Sequence, residues 1–372
     1  MSVGTETLNN GTAVAPPLNG YQFVYLHSRQ NNSPDTMWIK GDELCPAFTA
    51  ASATFKQSAV FQDNLARTKP FYAQFWSVLQ NVWDYTPTNL TYAKAYDIFD
   101  LIYVASIHNR TITANVTDDQ MFQLRTLADS AEFNNNFNES QPARSIGGAA
   151  LAGQIFTQLN QTVSSQGKLK LSVVTPSYNN QLGLFGLTKL TAASPDFFGL
   201  PPYASALTFE LFTPTTMSTF PSNIDDLMVR AMFRNGSDGA APLLPFALFG
   251  RPSLSVTWKD FSTEMLKVSI TSTGQWCKTC NSTATFCLPY ASANATAAPM
   301  PTASAVNGQT MSGGGMSNAV AGVIGAMVTL GFVLVGGLAF FLLRRALSKK
   351  KTVGEAAIVP REKPSSVGSS EV

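Results

Sequence analysis

The chain has 372 residues, which is enough for one large domain or two small ones with a substantial core. Charged residues make up 13% of the chain, about half the usual share of a soluble domain. The net charge is +2, so no strong basic field favours nucleic acid as a partner.

The first 165 residues carry mainly helical patterns. Tyr21–Leu26 is rich in aromatic and β-branched residues and predicts one early strand. Further along, apolar residues recur at helical spacing in four stretches, each of which predicts a helix with one core-facing side: Phe71–Val82, Ile98–Ala105, Leu124–Ala128 and Leu151–Leu159. We expect a helical subdomain at about residues 46–165, in which these stripes are packing surfaces and not cofactor-binding sites.

Strand patterns appear after this helical part. Leu169–Thr175 predicts a strand, and Asn179–Leu190 predicts a short helix. Alternating apolar residues predict two paired strands at Ala204–Phe212 and Leu227–Arg234, and a final helix follows at Trp258–Ile270. Strands interleaved with a helical block predict an α/β sheet domain that carries a helical subdomain.

The C-terminal part has the composition of a membrane anchor. Residues 291–318 are rich in Ala, Ser, Thr, Pro and Gly and predict a flexible stalk. Ala319–Leu343 contains no charged residue, and a helix of this length spans a bilayer core, which needs roughly 20 apolar residues. Basic residues follow at once, so residues 344–372 are predicted to be a cytoplasmic tail. The sequence thus predicts a single-pass membrane protein that has the lipid bilayer as a partner and an extracellular or lumenal N-terminal side.

The distribution of glycosylation sequons agrees with that topology. All ten Asn-x-Ser/Thr sequons precede the predicted membrane helix, at Asn10, Asn31, Asn89, Asn109, Asn115, Asn138, Asn160, Asn235, Asn281 and Asn294. The first residues, however, lack the basic start and apolar core of a signal peptide. We therefore expect the natural protein to have a further N-terminal part.

The four cysteines predict two disulfides. Cys277, Cys280 and Cys287 lie close together, and Cys45 lies far upstream. No histidine or second Cys-x-x-Cys completes a zinc site, and an oxidising compartment favours disulfides. Three connectivities are open, and the sequence does not choose among them.

Several segments resemble a known enzyme family. Pro202–Leu211 reads Pro-Tyr-Ala-Ser-Ala-Leu-Thr-Phe-Glu-Leu, which is similar to a strand of the histidine acid phosphatases, the phosphoglycerate-mutase-like family that includes fungal-type secreted phytases. The remaining similar segments follow the family's order along residues 20–290: Leu44–Phe48, Ala95–Asp100, Arg125–Asp129, Val229–Gly236, Pro242–Pro245, Trp258–Phe261 and Trp276-Cys277. The resemblance implies a partial histidine-phosphatase-like sheet domain at residues 1–290, incomplete at its N-terminus, and a phosphorylated small molecule as the candidate ligand.

The catalytic motifs of that family are missing from the chain. The family uses Arg-His-Gly-x-Arg-x-Pro for its phosphoryl acceptor and a later His-Asp for its proton donor, and neither occurs. The His-Asp position falls at Thr175–Asn180, which reads Thr-Pro-Ser-Tyr-Asn-Asn. We interpret His27 and His108 as surface or structural residues, and Glu210 as the acceptor of a buried structural hydrogen bond. The sequence therefore predicts no catalytic, cofactor-binding or metal-binding residue.

Three functional hypotheses follow from the sequence. The first is a membrane-anchored histidine-acid-phosphatase-like glycoprotein that is inactive as given, or a fragment of an active phosphomonoesterase. The second is a non-catalytic binding protein that keeps the phosphatase fold. The third is an adhesion or receptor-like glycoprotein of unrelated fold, whose protein partner is unknown.

Overall fold

Helices dominate the structure. The computed structural model describes Gly11 and residues 27–82, 84–217, 219–236 and 242–291, and it is 55% helical. Twelve α-helices lie in this described part: α1 Pro46–Lys56, α2 Ala59–Arg67, α3 Lys69–Ala73, α4 Trp76–Leu79, α5 Ala95–His108, α6 Arg110–Asn115, α7 Asp118–Asn136, α8 Ile146–Ser164, α9 Tyr178–Leu187, α10 Trp258–Val268, α11 Thr273–Cys280 and α12 Leu288–Ala291.

The main core lies among α5, α7, α8 and α9. Its apolar stripes are the ones that the sequence predicts, since Ile98, Leu124 and Leu151 are all buried. The helices start where local chemistry favours it: the hydroxyl oxygen of Thr117 accepts a hydrogen bond from the Gln120 backbone N–H, and the Gln120 side chain accepts one from the Thr117 N–H. Three of the four predicted stretches are confirmed as single helices, by α5, α7 and α8. The fourth, Phe71–Val82, is wrong as one helix, because it forms the short helices α3 and α4, which are interrupted at Gln74 and Phe75.

Glycines allow α8 and α9 to pack very closely. A Cβ atom on Gly148 would lie 2.3 Å from the backbone carbonyl carbon of Gly183. A larger residue at position 148 therefore requires the two helices to separate. Helix α9 also packs against α7, and its first residue, Tyr178, contacts Tyr96 of α5.

A small antiparallel sheet forms one side of the molecule. Its strands are β1 Ala206–Phe212, β2 Met228–Arg234, β3 Leu244–Phe246 and β4 Val256–Thr257. One edge of β2 pairs with β1, and its other edge pairs with β3 and β4. Along β2, Val229, Ala231 and Phe233 are buried and alternate with half-buried residues, as expected for a strand with one core face. The predicted pairing of the two longer strands is confirmed.

The predicted α/β fold is wrong. The segment Leu169–Thr175 has no regular secondary structure and joins no ladder among the described residues, and Leu171 and Val173 are 78% and 70% exposed. A β-favouring sequence forms a strand only when a neighbour satisfies its backbone groups, and the described part of the chain offers it none. The sheet is therefore small and wholly antiparallel, and it is not a partial α/β sheet. The strand predicted at Tyr21–Leu26 lies outside the described residues.

A second buried cluster is cross-linked by two disulfides, as the sequence predicts. The structure pairs Cys45 with Cys280 and Cys277 with Cys287. Trp276 is buried between them and donates an indole hydrogen bond to the Gly41 carbonyl at 2.8 Å. These bonds tie the start of α1 to α11, across most of the described chain.

The structure does not support the predicted membrane anchor. In the described part of the chain, no helix combines the length and the apolar character that crossing a bilayer requires. The predicted span Ala319–Leu343 lies outside the described residues, as do the predicted stalk from residue 292 onward and the tail at 344–372. We therefore withdraw the prediction of a single-pass membrane protein with an extracellular or lumenal N-terminal side.

Candidate functional site

A cleft lies where α5, α7 and the beginning of α9 meet the loop that precedes β1. Its larger cavity has a volume of about 240 Å³. Aromatic, proline and polar side chains line this cavity, among them Tyr96, Phe99, Asp100, Tyr103, Arg125, Pro176, Tyr178, Gln181, Pro201, Pro202 and Tyr203. Such a mixture of apolar faces and few polar groups is typical of a small-molecule site.

Helix α5 supplies one wall of the cleft. Tyr96, Phe99, Asp100 and Tyr103 are spaced i, i+3, i+4 and i+7, so they share one face of the helix. The rings of Phe99 and Tyr103 stack at a centroid distance of 5.4 Å. The helical period of this segment thus builds an aromatic wall with one carboxylate in it.

Helix α7 fixes the loop that forms the opposite wall. Arg125 and Asp129, one turn apart, form an ion pair at 2.8 Å between the guanidinium and the carboxylate. The Arg125 guanidinium also donates to the Leu200 carbonyl, and the Leu200 N–H donates to the Asp129 carboxylate at 2.8 Å. These contacts of Arg125 and Asp129 fix Leu200, which directly precedes Pro201, Pro202 and Tyr203. They therefore hold these three side chains at the cavity.

Glu132, one turn beyond Asp129, meets the first residue of α9. The Tyr178 hydroxyl is hydrogen-bonded to the Glu132 carboxyl group, and the Asn136 amide lies 3.5 Å from the same carboxyl. Burial raises the pKa of Glu132 to about 7, and the nearby Asp97 adds to this rise. Burial and the Glu132 charge both raise the pKa of Tyr178, so its hydroxyl stays protonated.

A second set of tyrosines links the cleft to a carboxylate at its opening. The Tyr203 hydroxyl donates to Asp100 at 2.6 Å, and the Tyr96 hydroxyl is hydrogen-bonded to Tyr203. The rings of Tyr96 and Tyr178 lie 4.5 Å apart between centroids. Burial and the Asp100 charge raise the pKa of Tyr96, so this hydroxyl also remains a hydrogen-bond donor.

A smaller cavity of about 90 Å³ adjoins the larger one and shares Tyr96 with it. Lys56, Lys94, Asp97 and Glu132 also line it, so positive and negative groups balance there. Lys94 is engaged with Asp84, at 3.5 Å between ammonium and carboxylate. Neither cavity therefore presents a cluster of unpaired cations of the kind that clamps a phosphate group.

The position at which the sequence places the missing His-Asp pair lies at this cleft. Ser177 and Tyr178 stand there, and Pro176 and Tyr178 line the larger cavity. The Asn179 amide donates to Asp42 at 2.8 Å. Asn180 is fully buried against Gly147, and its amide has no partner among the described residues. This segment thus contributes a tyrosine to the larger cavity and two amides to the structure beside it.

The other residues that the sequence offers as catalytic candidates, His27, His108 and Glu210, lie outside the cleft. His27 and His108 are both exposed, and neither lines a described cavity. Glu210 forms a cross-strand ion pair with Arg230. Its predicted structural bonding is confirmed, but the Glu210 side chain is 33% exposed and not buried as expected. The reason is that alternation along β1 directs it away from the core.

The sequons that the structure describes lie mostly on the surface. Six asparagines are exposed: Asn31, Asn109, Asn115, Asn160, Asn235 and Asn281. Asn89 and Asn138 are half-buried, and the amide of Asn89 donates to the Asp84 carbonyl at 2.9 Å. Asn10 and Asn294 lie outside the described residues.

The sequence does not predict this cleft, although it does single out several of the segments that form it. Three of the phosphatase-like segments, Ala95–Asp100, Arg125–Asp129 and Pro202–Leu211, meet around the larger cavity together with Pro176 and Tyr178. The sequence does not predict that Glu132 belongs to the cleft, because Glu132 is a single acid on a long helix and no local pattern places it beside Tyr178. The helical spacing of Tyr96, Asp100 and Tyr103 is the one sequence pattern that indicates their common face on α5.

Comparison with known proteins gives no relatives: the sequence matches no protein-family model, and neither the curated proteins nor the solved structures contain a match to the chain.

Proposed function

We propose that this chain is a non-catalytic relative of the histidine acid phosphatases, a disulfide-bonded glycoprotein whose cleft binds a small molecule. The observation that carries the proposal is the place of Tyr178. It belongs to Thr175–Asn180, the segment in which the resemblance implies the proton donor of the family, and it lines the larger cavity beside Glu132. Further support comes from the three phosphatase-like segments that surround the same cavity.

The chemistry of the cleft favours binding over phosphoryl transfer. A phosphatase of this family needs a nucleophile and cations that hold the phosphate oxygens. The hydroxyls of Tyr96 and Tyr178 are kept protonated by their surroundings and are poor nucleophiles. Arg125, the guanidinium that lines the larger cavity, is already paired with Asp129. For the same reason, the sequence-based proposal of a phosphorylated ligand has weaker support.

Glu132 supports a second candidate function, an unusual phosphomonoesterase. Its pKa of about 7 lies in the range in which a carboxyl group serves as a general acid near neutral pH. A hydrogen-bonded pair of Glu132 and Tyr178 could then supply the proton that the missing His-Asp supplies in the family. The candidate nucleophiles that line the cleft are engaged in structural hydrogen bonds, since the Ser205 hydroxyl oxygen accepts from the Gly236 N–H and Asp100 accepts from the Tyr203 hydroxyl. We therefore rank this function below binding.

The test is hydrolysis of p-nitrophenyl phosphate by the purified chain from acidic to mildly alkaline pH. Circular dichroism and titration of free thiols first confirm that the protein is folded and oxidised. We expect the release of p-nitrophenol to match that of buffer. Hydrolysis above buffer that Glu132→Gln removes, and that the surface substitution Glu210→Gln leaves in place, would refute the non-catalytic proposal and establish the phosphomonoesterase.

A further inference from the structure

Building on the binding role proposed above, we infer that the larger cavity binds the quaternary ammonium group of a small organic cation. The inference comes from three properties of the cavity: its aromatic walls, the sign of the charges behind these walls, and its small volume. Each is a property of side chains that the structure describes.

Tyrosine rings form most of the aromatic surface of the cavity. Tyr96, Tyr103, Tyr178 and Tyr203 line it from α5, α9 and the loop before β1. The Tyr96 and Tyr178 rings are inclined to each other by 37° at a centroid distance of 4.5 Å, so they do not stack face to face. A cation within about 6 Å of several ring centroids is attracted by the negative faces of the rings, which is how aromatic cages hold quaternary ammonium groups.

Carboxylates lie close to these rings, and Asp100 lines the larger cavity itself, whereas Lys56 and Lys94 line only the smaller one. Asp100 lies at the cavity and accepts the hydrogen bond of the Tyr203 hydroxyl at 2.6 Å. Besides burial and the neighbouring tyrosines, the carboxylates of Asp100 and Glu132 raise the pKa of Tyr96, and those of Glu132 and Asp97 raise the pKa of Tyr178. An acidic surrounding of this kind adds a favourable Coulomb interaction with a bound cation.

Arg125 is the one positive group among the residues that line this cavity, and it does not oppose the inference. Its guanidinium is neutralised by Asp129 at 2.8 Å. It also lies over the Phe99 ring, at 5.3 Å from the centroid. The protein therefore already places one cation on an aromatic face of this wall, and the remaining tyrosine faces are free of such a contact with a described Lys or Arg.

The size of the cavity selects a small cation. A volume of about 240 Å³ admits a single trimethylammonium group with a short substituent, whereas a long peptide or a polymer would have to remain outside. The exposed Tyr203 lines the cavity, and its hydroxyl is held by the hydrogen bond to Asp100. Choline has the required chemistry and is the probe for the test.

The experiment is isothermal titration calorimetry of the whole chain with choline and with 3,3-dimethyl-1-butanol, its uncharged carbon isostere. Because the two probes share shape and hydroxyl group, the difference in Kd reports the charge alone. We expect choline to bind about tenfold more tightly than the isostere. Equal affinities would overturn the cation inference while leaving a binding cleft, and absence of choline binding up to the highest soluble concentration would overturn it as well.

Two variants locate the binding to this cavity. Asp100→Asn removes the charge but keeps an oxygen that accepts from Tyr203, so we expect about fivefold weaker choline binding. Tyr203→Leu removes an exposed ring without disturbing the core, and it should also weaken binding several-fold. Asp63→Asn, an equivalent change on α2 outside both cavities, is the control and should bind choline within twofold of the unmodified chain. Full affinity in both cavity variants would place the cation elsewhere and contradict the inference. The p-nitrophenyl phosphate assay is independent of these titrations, so failure of either proposal is seen separately.

Discussion

The Tyr178 hydroxyl is hydrogen-bonded to the Glu132 carboxyl group, and this contact joins the first residue of α9 to the last part of α7. It closes the inner end of the cleft. The Tyr178 ring then faces Tyr96 across 4.5 Å, while the Glu132 carboxyl lines the smaller cavity. One hydrogen bond therefore fixes side chains of both cavities.

The raised pKa of Glu132 has a consequence for stability. Its folded-state pKa of about 7 lies above the value of 4.5 for an unperturbed Glu, so the unfolded chain loses this proton first as the pH rises. Ionisation of Glu132 therefore destabilises the fold as the pH rises from 4.5 to 7, by at most about 3 kcal/mol. Glu132→Gln keeps an acceptor for Tyr178 and removes the charge. We expect its free energy of unfolding to equal that of the unmodified chain near pH 4.5 and to exceed it at pH 8.

Urea unfolding at several pH values measures this difference. Glu264→Gln is the matched control, because Lys267 lowers the pKa of Glu264 and the sign is reversed. The Glu264 ion pair contributes stability above its unfolded pKa, so this variant should lose stability at pH 8 and lose none at low pH. A pH-independent difference between Glu132→Gln and the unmodified chain would show that Glu132 is not buried as described.

The two disulfides should differ in their contribution to stability. Cys45–Cys280 spans 235 residues, whereas Cys277–Cys287 spans 10. Loop-closure entropy in the unfolded chain predicts stabilisation by about 5 kcal/mol for the long bridge and about 3 kcal/mol for the short one. The double variants Cys45→Ala/Cys280→Ala and Cys277→Ala/Cys287→Ala serve as each other's control, since all four side chains are buried. Equal losses in the free energy of unfolding would contradict the chain-entropy explanation.

Ala204, in the loop that lines the cavity, has a left-handed backbone conformation with φ of 60°. This conformation costs an L-residue with a Cβ atom about 1 kcal/mol, and glycine adopts it freely. We expect Ala204→Gly to raise the free energy of unfolding by up to about 1 kcal/mol, measured by thermal or urea unfolding. Ala206→Gly, two residues later in regular strand β1, is the control and should lower it by about 0.5–1 kcal/mol. A loss of stability in both variants would show that residue 204 is unstrained.

The sequence predicts those parts of the fold that local patterns control. The apolar periods around Ile98, Leu124 and Leu151 give the long helices, and alternation gives the pairing of β1 with β2. The segment Leu169–Thr175 has the same β-favouring composition but no partner in the described chain, and composition alone does not distinguish the two situations. The sequence does not predict the cleft for a similar reason, because Glu132 meets Tyr178 only through the packing of α7 against α9.

The pairing of the cysteines also depends on long-range contacts that local sequence patterns do not predict. Their number and the lack of a completing histidine predict two disulfides, and the structure contains both. Which cysteines join depends on the approach of α1 to α11, a long-range contact that the spacing of Cys277, Cys280 and Cys287 does not encode.

The most direct test of the account is an NMR measurement on the chain with phosphocholine, which carries a quaternary ammonium group and a phosphomonoester in one molecule. We predict saturation transfer from protein to the trimethylammonium protons, reduced in Asp100→Asn, while the ³¹P resonance of the phosphomonoester persists without growth of an inorganic phosphate signal. Release of inorganic phosphate that Glu132→Gln abolishes would contradict the central claim that this cleft binds a ligand and does not hydrolyse it.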